Sequence, residues 1–89
     1  MNFIKFLRCD LSIITIEEVK KLVGLQLGKR NVKDMDRLVE DLGAESADVA
    51  NLVSVVEEKY RITIKEAEIA RIYTPMDIFE LVKRRLYES

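Results

Sequence analysis

The stretch DLGAESADVANLVSVVEEKY, residues 41–60, carries the clearest helix signal in the chain. Its large apolar residues recur at the spacing of a single helix face: Val49, Leu52, Val53, Val56 and Tyr60. This stripe predicts a helix over 46–60 whose apolar face belongs to the core. Ser46 stands in the first turn, between Glu45 and Asp48, and lies outside the stripe. Its presence there needs a separate explanation.

A second helix is predicted upstream, over 15–28. Thr15 and Glu18 have the spacing of a capping box, and Gly28 is placed to end the helix. A long polar connection, 29–43, then leads towards Ser46. Its apolar residues are expected to pin it to the core: Leu38, Val39 and Leu42. Connections in helical bundles are mostly shorter, and long loops in compact domains are often functional.

Two further helices are predicted downstream, a short one over 65–71 and a long one over 75–87. Thr74 is placed to cap the long helix, and Pro75 to occupy its first position. The chain has only three glycines and one proline, and strict alternation of apolar and polar residues is hard to find in it. The predicted fold is therefore all-α, an antiparallel bundle of three main helices plus one short helix.

Length and composition limit the possible functions. A chain of 89 residues is enough for one core, so we predict a single domain, 1–89, with an extension over 1–14 and the bundle over 15–87. The chain has no histidine and one cysteine, Cys9, which excludes Cys/His zinc sites, an internal disulfide and catalysis by Ser-His or Cys-His pairs. Charged residues interrupt its start too often for a signal peptide or a membrane span. The expectation is a cytoplasmic protein with a reduced thiol.

The net charge of −1 hides an acidic middle. Residues 34–58 have a net charge of −7, whereas residues 1–33 carry +4 and residues 59–89 carry +2. This distribution favours a basic protein partner for the middle of the chain and argues against nucleic acid there. Taken alone, the acids are equally compatible with a solvated face that binds nothing.

The order of these features resembles the acyl carrier proteins of fatty-acid and polyketide synthesis. The resemblance is carried by TIEEVKKLV in the first helix, by EDLGAESADVANLVSVVEEKY and by IYTPMDIFELVKRRL in the last helix, and it covers about residues 15–87. The most diagnostic part is DLGAESAD, residues 41–48, where the family typically reads Asp-Leu-Gly-Ala-Asp-Ser-Leu-Asp.

This resemblance implies that Ser46 bears a phosphopantetheine arm, which a phosphopantetheinyl transferase joins to it from coenzyme A. The thiol of such an arm holds an acyl group as a thioester, and the carrier itself does no catalysis. The implied partners are acyl-loading and acyl-processing enzymes with basic docking surfaces, and the carrier is expected to be a monomer. The expected docking residues are Glu45, Asp48, Glu57 and Glu58.

General chemistry supports the same role for Ser46. A serine at a helix N-terminus holds its hydroxyl outside the helix, where a phosphodiester meets unpaired N–H groups and the positive end of the helix dipole. This interaction favours the modified serine by ~0.3–1 kcal/mol. A lone serine in such a position is usually only a helix-starting residue, and it is the preceding Asp-Leu-Gly together with the long loop that favours attachment.

Three departures from the family pattern indicate a specialised carrier instead of the main carrier of bulk fatty-acid synthesis. Glu45 replaces an aspartate and is the weaker helix cap. Ala47 replaces a leucine that in the family lies beside the arm and contacts enzymes. Asn51 and Lys59 stand at positions that are often acidic in the family.

Two other hypotheses stay open at this point. An unmodified helical adaptor with the same fold would bind a basic partner through its acidic second helix, and Ala47 and Asn51 favour it. A peptidyl or aminoacyl carrier would use Ser46 in the same way and would differ only in its cargo.

Overall fold

The computed structural model describes residues 14–88, and within this range the chain is helical without any strand. The helices are α1 (Ile16–Leu27), α2 (Ser46–Tyr60), α3 (Glu66–Ile69) and α4 (Pro75–Glu88). The predicted all-α bundle of three main helices and one short helix is confirmed. Most of the predicted extension, including Cys9, lies outside the described residues. No helix in the described range is long and apolar enough to cross a membrane.

The three long helices enclose one hydrophobic core. It contains Val19 and Val23 from α1, Leu52, Val53, Val56 and Tyr60 from α2, and Ile78, Leu81 and Val82 from α4. Helix α1 packs against both α2 and α4. Full burial of such a side chain stabilises the fold by about 1.5–3 kcal/mol. The predicted stripe of α2 is therefore core, although Val49 at its start is only half-buried.

Helix α3 is shorter than predicted, with four residues in place of the seven of 65–71. After Ile69 the hydrogen bonds change from the α-helical pattern to a tighter one, because the Arg71 N–H donates to the Glu68 carbonyl at 3.0 Å. The helix consequently ends early. Its flanking isoleucines still reach the core, since Ile64 and Ile72 are both buried.

The predicted capping hydrogen bonds form at the starts of α1 and α4, and the capping box of α1 is only partly formed. At α4 the box is reciprocal: the Asp77 N–H donates to Thr74 Oγ1 at 3.2 Å, and the Thr74 N–H donates to Asp77 Oδ2 at 3.0 Å. At α1 the Glu18 N–H donates to Thr15 Oγ1 at 3.2 Å. The Glu18 carboxylate does not complete this box, because it accepts a hydrogen bond from the Tyr60 hydroxyl at 2.9 Å.

The long connection between α1 and α2 is tied to the helices at several points. The Lys20 ammonium pairs with Asp34 at 2.9 Å and with Glu17 at 3.2 Å, and these two carboxylates, Asp34 first, raise the pKa of Lys20. Leu38 and Leu42 are buried, as predicted. The prediction for Val39 is wrong: its side chain is 59% exposed. Residues 37–43 form a helical turn, in which the Asp41 N–H donates to the Arg37 carbonyl at 2.8 Å. Leu38 and Leu42 are four residues apart and share the buried side of this turn, whereas Val39 lies on its exposed side.

Candidate functional site

Ser46 is the first residue of α2, and its side chain is exposed. The N-cap is Glu45, whose backbone is extended with φ −100° and ψ 170°. Ser46 is therefore not the cap, and among the described residues its hydroxyl makes no hydrogen bond. Glu45 and Ala47 on either side are exposed as well. The hydroxyl is open to solvent.

Several N–H groups at the start of α2 have no backbone acceptor in the described range. The first hydrogen bond of the helix runs from the Val49 N–H to the Glu45 carbonyl at 3.0 Å. The N–H groups of Ser46, Ala47 and Asp48 precede it and have no backbone acceptor within residues 14–88. The Asp48 N–H faces the Glu45 side chain in a capping box, so the N–H groups of Ser46 and Ala47 are the more available pair. Together with the helix dipole, these donors make this end of α2 favourable for a phosphate ester.

A hydrogen-bonded turn leads into Ser46. The Arg37 N–H donates to Asp41 Oδ2 at 2.8 Å, and the Ala44 N–H donates to the Leu38 carbonyl at 2.8 Å. Gly43 between them has a φ of 72°, in the left-handed region that favours glycine. The serine thus follows a turn that is held to the core. The sequence did not single out Asp41 for this role, and its only signal is its place in the Asp-Leu-Gly motif.

The four predicted docking acids divide into two kinds. Glu45 and Glu58 are exposed, and no salt bridge joins either of them to another residue of the described range. Asp48 and Glu57 are half-buried and accept backbone hydrogen bonds. Asp48 Oδ2 accepts from the Glu45 N–H at 3.0 Å, and Glu57 Oε2 accepts from the Ile64 N–H at 2.7 Å. The second pair of acids therefore also maintains the fold.

The outward face of α2 is neutral between these acids. Ala47, Asn51, Ser54 and Glu58 are all exposed and recur at helical spacing, so they form one outward row. Only Glu58 in this row is charged. At 1.5 Å per residue, Asp48 and Glu58 lie about 15 Å apart along the helix. Within residues 14–88, no group of three His, Cys, Asp or Glu is placed to hold a metal ion.

One exposed cluster beside this turn has no signal in the sequence. The Arg37 guanidinium lies 5.6 Å from the centre of the Tyr73 ring and also pairs with Glu40 at 2.8 Å. The Leu38 N–H donates to the Tyr73 carbonyl at 2.8 Å, which joins the segment before α4 to the turn before α2. Tyr73 is 55% exposed. Sequence patterns do not link residues this far apart along the chain.

The chain is similar to curated acyl carrier proteins over most of its length. It is 39% identical to the one from Helicobacter hepaticus over 71 residues, 78% of this chain and 93% of that protein. It is 38% identical to the one from Wolinella succinogenes over 69 residues, 75% of this chain and 91% of that protein. It is 30% identical to the one from Buchnera aphidicola subsp. Baizongia pistaciae over 73 residues, 80% of this chain and 94% of that protein. No protein-family model matches the chain.

The fold itself is found in a solved structure of a candidate acyl carrier protein from Mycobacterium tuberculosis. The TM-score is 0.69 at 24% identity, over 73% of this chain and 89% of that one. Fold and site together define a small all-helical protein that presents a serine at a helix start. With the sequence similarity, the chain belongs to the acyl carrier protein family, whose members are carriers of acyl groups and not enzymes.

Proposed function

We propose that this protein is a specialised acyl carrier in which Ser46 bears a phosphopantetheine arm. The observation that carries the proposal is the exposed Ser46 hydroxyl at the start of α2, next to three N–H groups without a backbone acceptor. When attached, the arm supplies a thiol that holds an acyl group as a thioester. The family membership supports this role in general.

The residues around Ser46 fit such a group. Ser46 Oγ, losing its proton, would form the phosphodiester as the pyrophosphate bond of coenzyme A breaks and adenosine 3′,5′-bisphosphate leaves. The N–H groups at the start of α2 would stabilise the negative charge of the phosphodiester. Ala47 is small and exposed, so it places no bulk beside the attachment point. The held turn before Glu45 fixes where the serine is presented to the transferase.

The acids of α2 are proposed as the docking surface for enzymes. The phosphopantetheinyl transferase and the acyl-loading and acyl-processing enzymes would bring basic surfaces to Glu45, Asp48, Glu57 and Glu58. Glu45 and Glu58 are the better-placed pair, because their carboxylates are exposed. Asp48 and Glu57 already accept backbone hydrogen bonds.

The outward face of α2 is what favours a specialised carrier. Ala47, Asn51 and Ser54 are exposed there, and none of them offers a large apolar side chain to an enzyme. A dedicated set of enzymes for one class of acyl group, in fatty-acid, polyketide or related biosynthesis, would be adapted to such a face. We also propose that the protein is a monomer with a single domain and that it is cytoplasmic. The cytoplasmic location is inferred from the lone cysteine, which has no second cysteine in the chain for a disulfide.

Intact-mass measurement tests the attachment directly. Protein incubated with coenzyme A and a phosphopantetheinyl transferase should gain the mass of one arm, and Ser46→Ala should gain none. Because the Ser46 hydroxyl makes no hydrogen bond among the described residues, Ser46→Ala should change the free energy of unfolding by less than about 0.5 kcal/mol. Ser54→Ala, on the exposed face of the same helix, is the matched control and should still be modified.

Two results would redirect the proposal. If the wild type stays unmodified with several transferases, including one from its own host, an unmodified adaptor that binds a basic partner becomes the better account, with Ala47 and Asn51 as its basis. If the arm is attached but accepts aminoacyl and not acyl groups from loading enzymes, the protein is a peptidyl or aminoacyl carrier.

A further inference from the structure

A groove of about 800 Å³ runs along α1 and the start of the following loop. We call it the α1 groove, and its lining includes Lys21, Gly24, Leu25, Lys29 and Arg30. None of its lining residues belongs to α2 or to the turn before Ser46. The groove is therefore separate from the acidic docking surface.

The backbone at the end of α1 holds the groove in shape. A Cβ on Gly24 would lie 2.7 Å from the Lys29 carbonyl oxygen, so only glycine lets the loop fold back this closely. The Lys29 N–H donates to the Gly24 carbonyl at 2.9 Å. Gly28 and Asn31 both have left-handed backbones, with φ of 67° and 57°. These features fix Lys29 and Arg30 beside α1.

The cations of the groove are not neutralised by the fold. Glu17, the acid in the lining of the groove, forms a salt bridge with Lys20, and Lys20 forms a second one with Asp34. Lys21, Lys29 and Arg30 are exposed, and within residues 14–88 no salt bridge joins them to an acid. Gathering like charges in one place is unfavourable for folding. An anionic occupant would relieve this repulsion.

We propose that the α1 groove binds an acidic segment of a partner protein. Its carboxylates would pair with Lys21, Lys29 and Arg30, and an apolar side chain between them would cover Leu25. Leu25 is 71% exposed on the wall of the groove, which gives the site an apolar part as well as a charged one. The charge complementarity is opposite to that of α2, whose acids suit basic enzymes.

Two other anionic occupants fit the groove less well. A nucleic acid is held by many cations along its backbone, whereas this groove offers three cations that have no salt bridge to residues 14–88, on a protein with a strongly acidic middle. Helices that lie on membranes present a broad apolar face, whereas Leu25 is the one large exposed apolar residue of α1. A recess with a basic rim and one apolar wall suits an acidic peptide.

A peptide-binding measurement tests this proposal. From Glu17 to Gly28 the groove follows α1 for about 16 Å, the length of about eleven helical residues or about five extended ones. A fluorescent peptide of about twelve residues with repeated Glu-Glu-Leu therefore spans the groove in either conformation. Its affinity, read by fluorescence anisotropy, should fall as ionic strength rises from about 50 mM to about 300 mM. The same peptide with glutamine for glutamate should not bind.

Charge reversal locates the site. Lys29→Glu with Arg30→Glu should weaken peptide binding about tenfold or more, and Leu25→Ser should weaken it less. Lys83→Glu with Arg84→Glu is the matched control: it makes the same charge change on α4, outside the groove, and should leave binding near that of the wild type. Circular dichroism and melting curves establish that each variant is folded. Ser46→Ala should bind as the wild type does, so this result is independent of the proposed arm.

Three outcomes would overturn the proposal. The wild type fails to bind the peptide, or both double variants lose affinity equally, which indicates attraction by net charge alone. The third is that vesicles of phosphatidylglycerol and phosphatidylcholine bind at Lys29 and Arg30 while the peptide does not, which makes the groove a lipid contact.

Discussion

At the scale of the residue, the hydrogen bond between Tyr60 and Glu18 shows how one polar contact is placed at the edge of the core. Tyr60 closes the apolar stripe of α2, and its side chain is buried. Burial, and then the Glu18 carboxylate, raise the pKa of the Tyr60 hydroxyl above its ordinary value. The hydroxyl therefore stays protonated and continues to donate to Glu18 across the neutral pH range.

We predict that Tyr60→Phe lowers the free energy of unfolding by about 1–2 kcal/mol, because a hydrogen bond to a charged acceptor is lost at a half-buried site. Since the folded pKa of Tyr60 is raised, this contribution is complete below the ordinary tyrosine pKa of about 10 and disappears only as the pH rises through the higher folded value. Urea unfolding at several pH values measures both effects.

The exposed Tyr73 provides the control for this change. Its hydroxyl makes no hydrogen bond in the described part of the chain, so Tyr73→Phe should stay within about 0.5 kcal/mol of the wild type. Equal losses for Tyr60→Phe and Tyr73→Phe would contradict a special role for the bond to Glu18.

At the scale of the element, α3 depends on contacts outside itself. A helix of four residues is not stable alone, because helix nucleation is unfavourable. Glu68 stabilises it in two ways: its carboxylate accepts from the N–H of the N-cap Lys65 at 2.9 Å and pairs with Arg85 of α4. The Lys65 N–H, and then Arg85, lower the pKa of Glu68.

We predict that Glu68→Gln increases hydrogen exchange in residues 66–72 while the exchange of α2 changes little. Because the folded pKa of Glu68 is lowered, its contribution is present above the ordinary glutamate pKa and is lost as the pH falls through the lower folded value. In the wild type, protection of α3 should therefore fall at acidic pH, and in Glu68→Gln this pH dependence should be absent.

Glu66→Gln is the matched control for the α3 prediction, since Glu66 is exposed on the same helix and its carboxylate makes no bond among the described residues. The hydrogen exchange of α3 in Glu66→Gln should equal that in the wild type. An α3 that exchanges at the same rate in Glu68→Gln and in the wild type would show that the buried isoleucines alone hold it.

At the scale of the whole molecule, the charge distribution separates an acidic α2 from basic surfaces elsewhere. Exposed charges act mainly on the rate of association and are screened by salt. Glu58 is the cleanest residue on which to test docking, and Glu45, which is also the N-cap of α2, is tested beside it with circular dichroism to establish that the variant is folded. A reversal at Asp48 or Glu57 would also remove the acceptor of a backbone hydrogen bond, so loss of binding and loss of structure would be confused.

We predict that Glu45→Lys with Glu58→Lys slows association with a phosphopantetheinyl transferase about tenfold at low salt and changes dissociation much less. Stopped-flow or surface plasmon resonance at several salt concentrations measures both rates. The control is Glu66→Lys with Glu80→Lys, which makes the same charge change at exposed positions of α3 and α4. If association is indifferent to salt and to both double variants, the docking surface lies elsewhere on the carrier.

Most of the fold could be predicted because its signals are local. The apolar stripe, the capping residues and the position of Pro75 act within one or two turns, and the structure confirms α2 over Ser46–Tyr60 and α4 from Pro75. The helix start at Ser46 was predictable for the same reason. Its role as the attachment site rests on the motif around it and on family membership, and it stays a proposal until the modification is measured.

What the sequence by itself determined is the set of helices, the core stripe and the helix start that presents Ser46, because periodicity and capping are properties of neighbouring residues. Tertiary structure decided the pairing of Glu18 with Tyr60 in place of a full cap, the exposure of Val39, the use of Glu57 as a backbone acceptor, and the basic groove built over Gly24. Each of these depends on how separate segments of the chain pack against one another. Such contacts leave no periodic trace in the sequence.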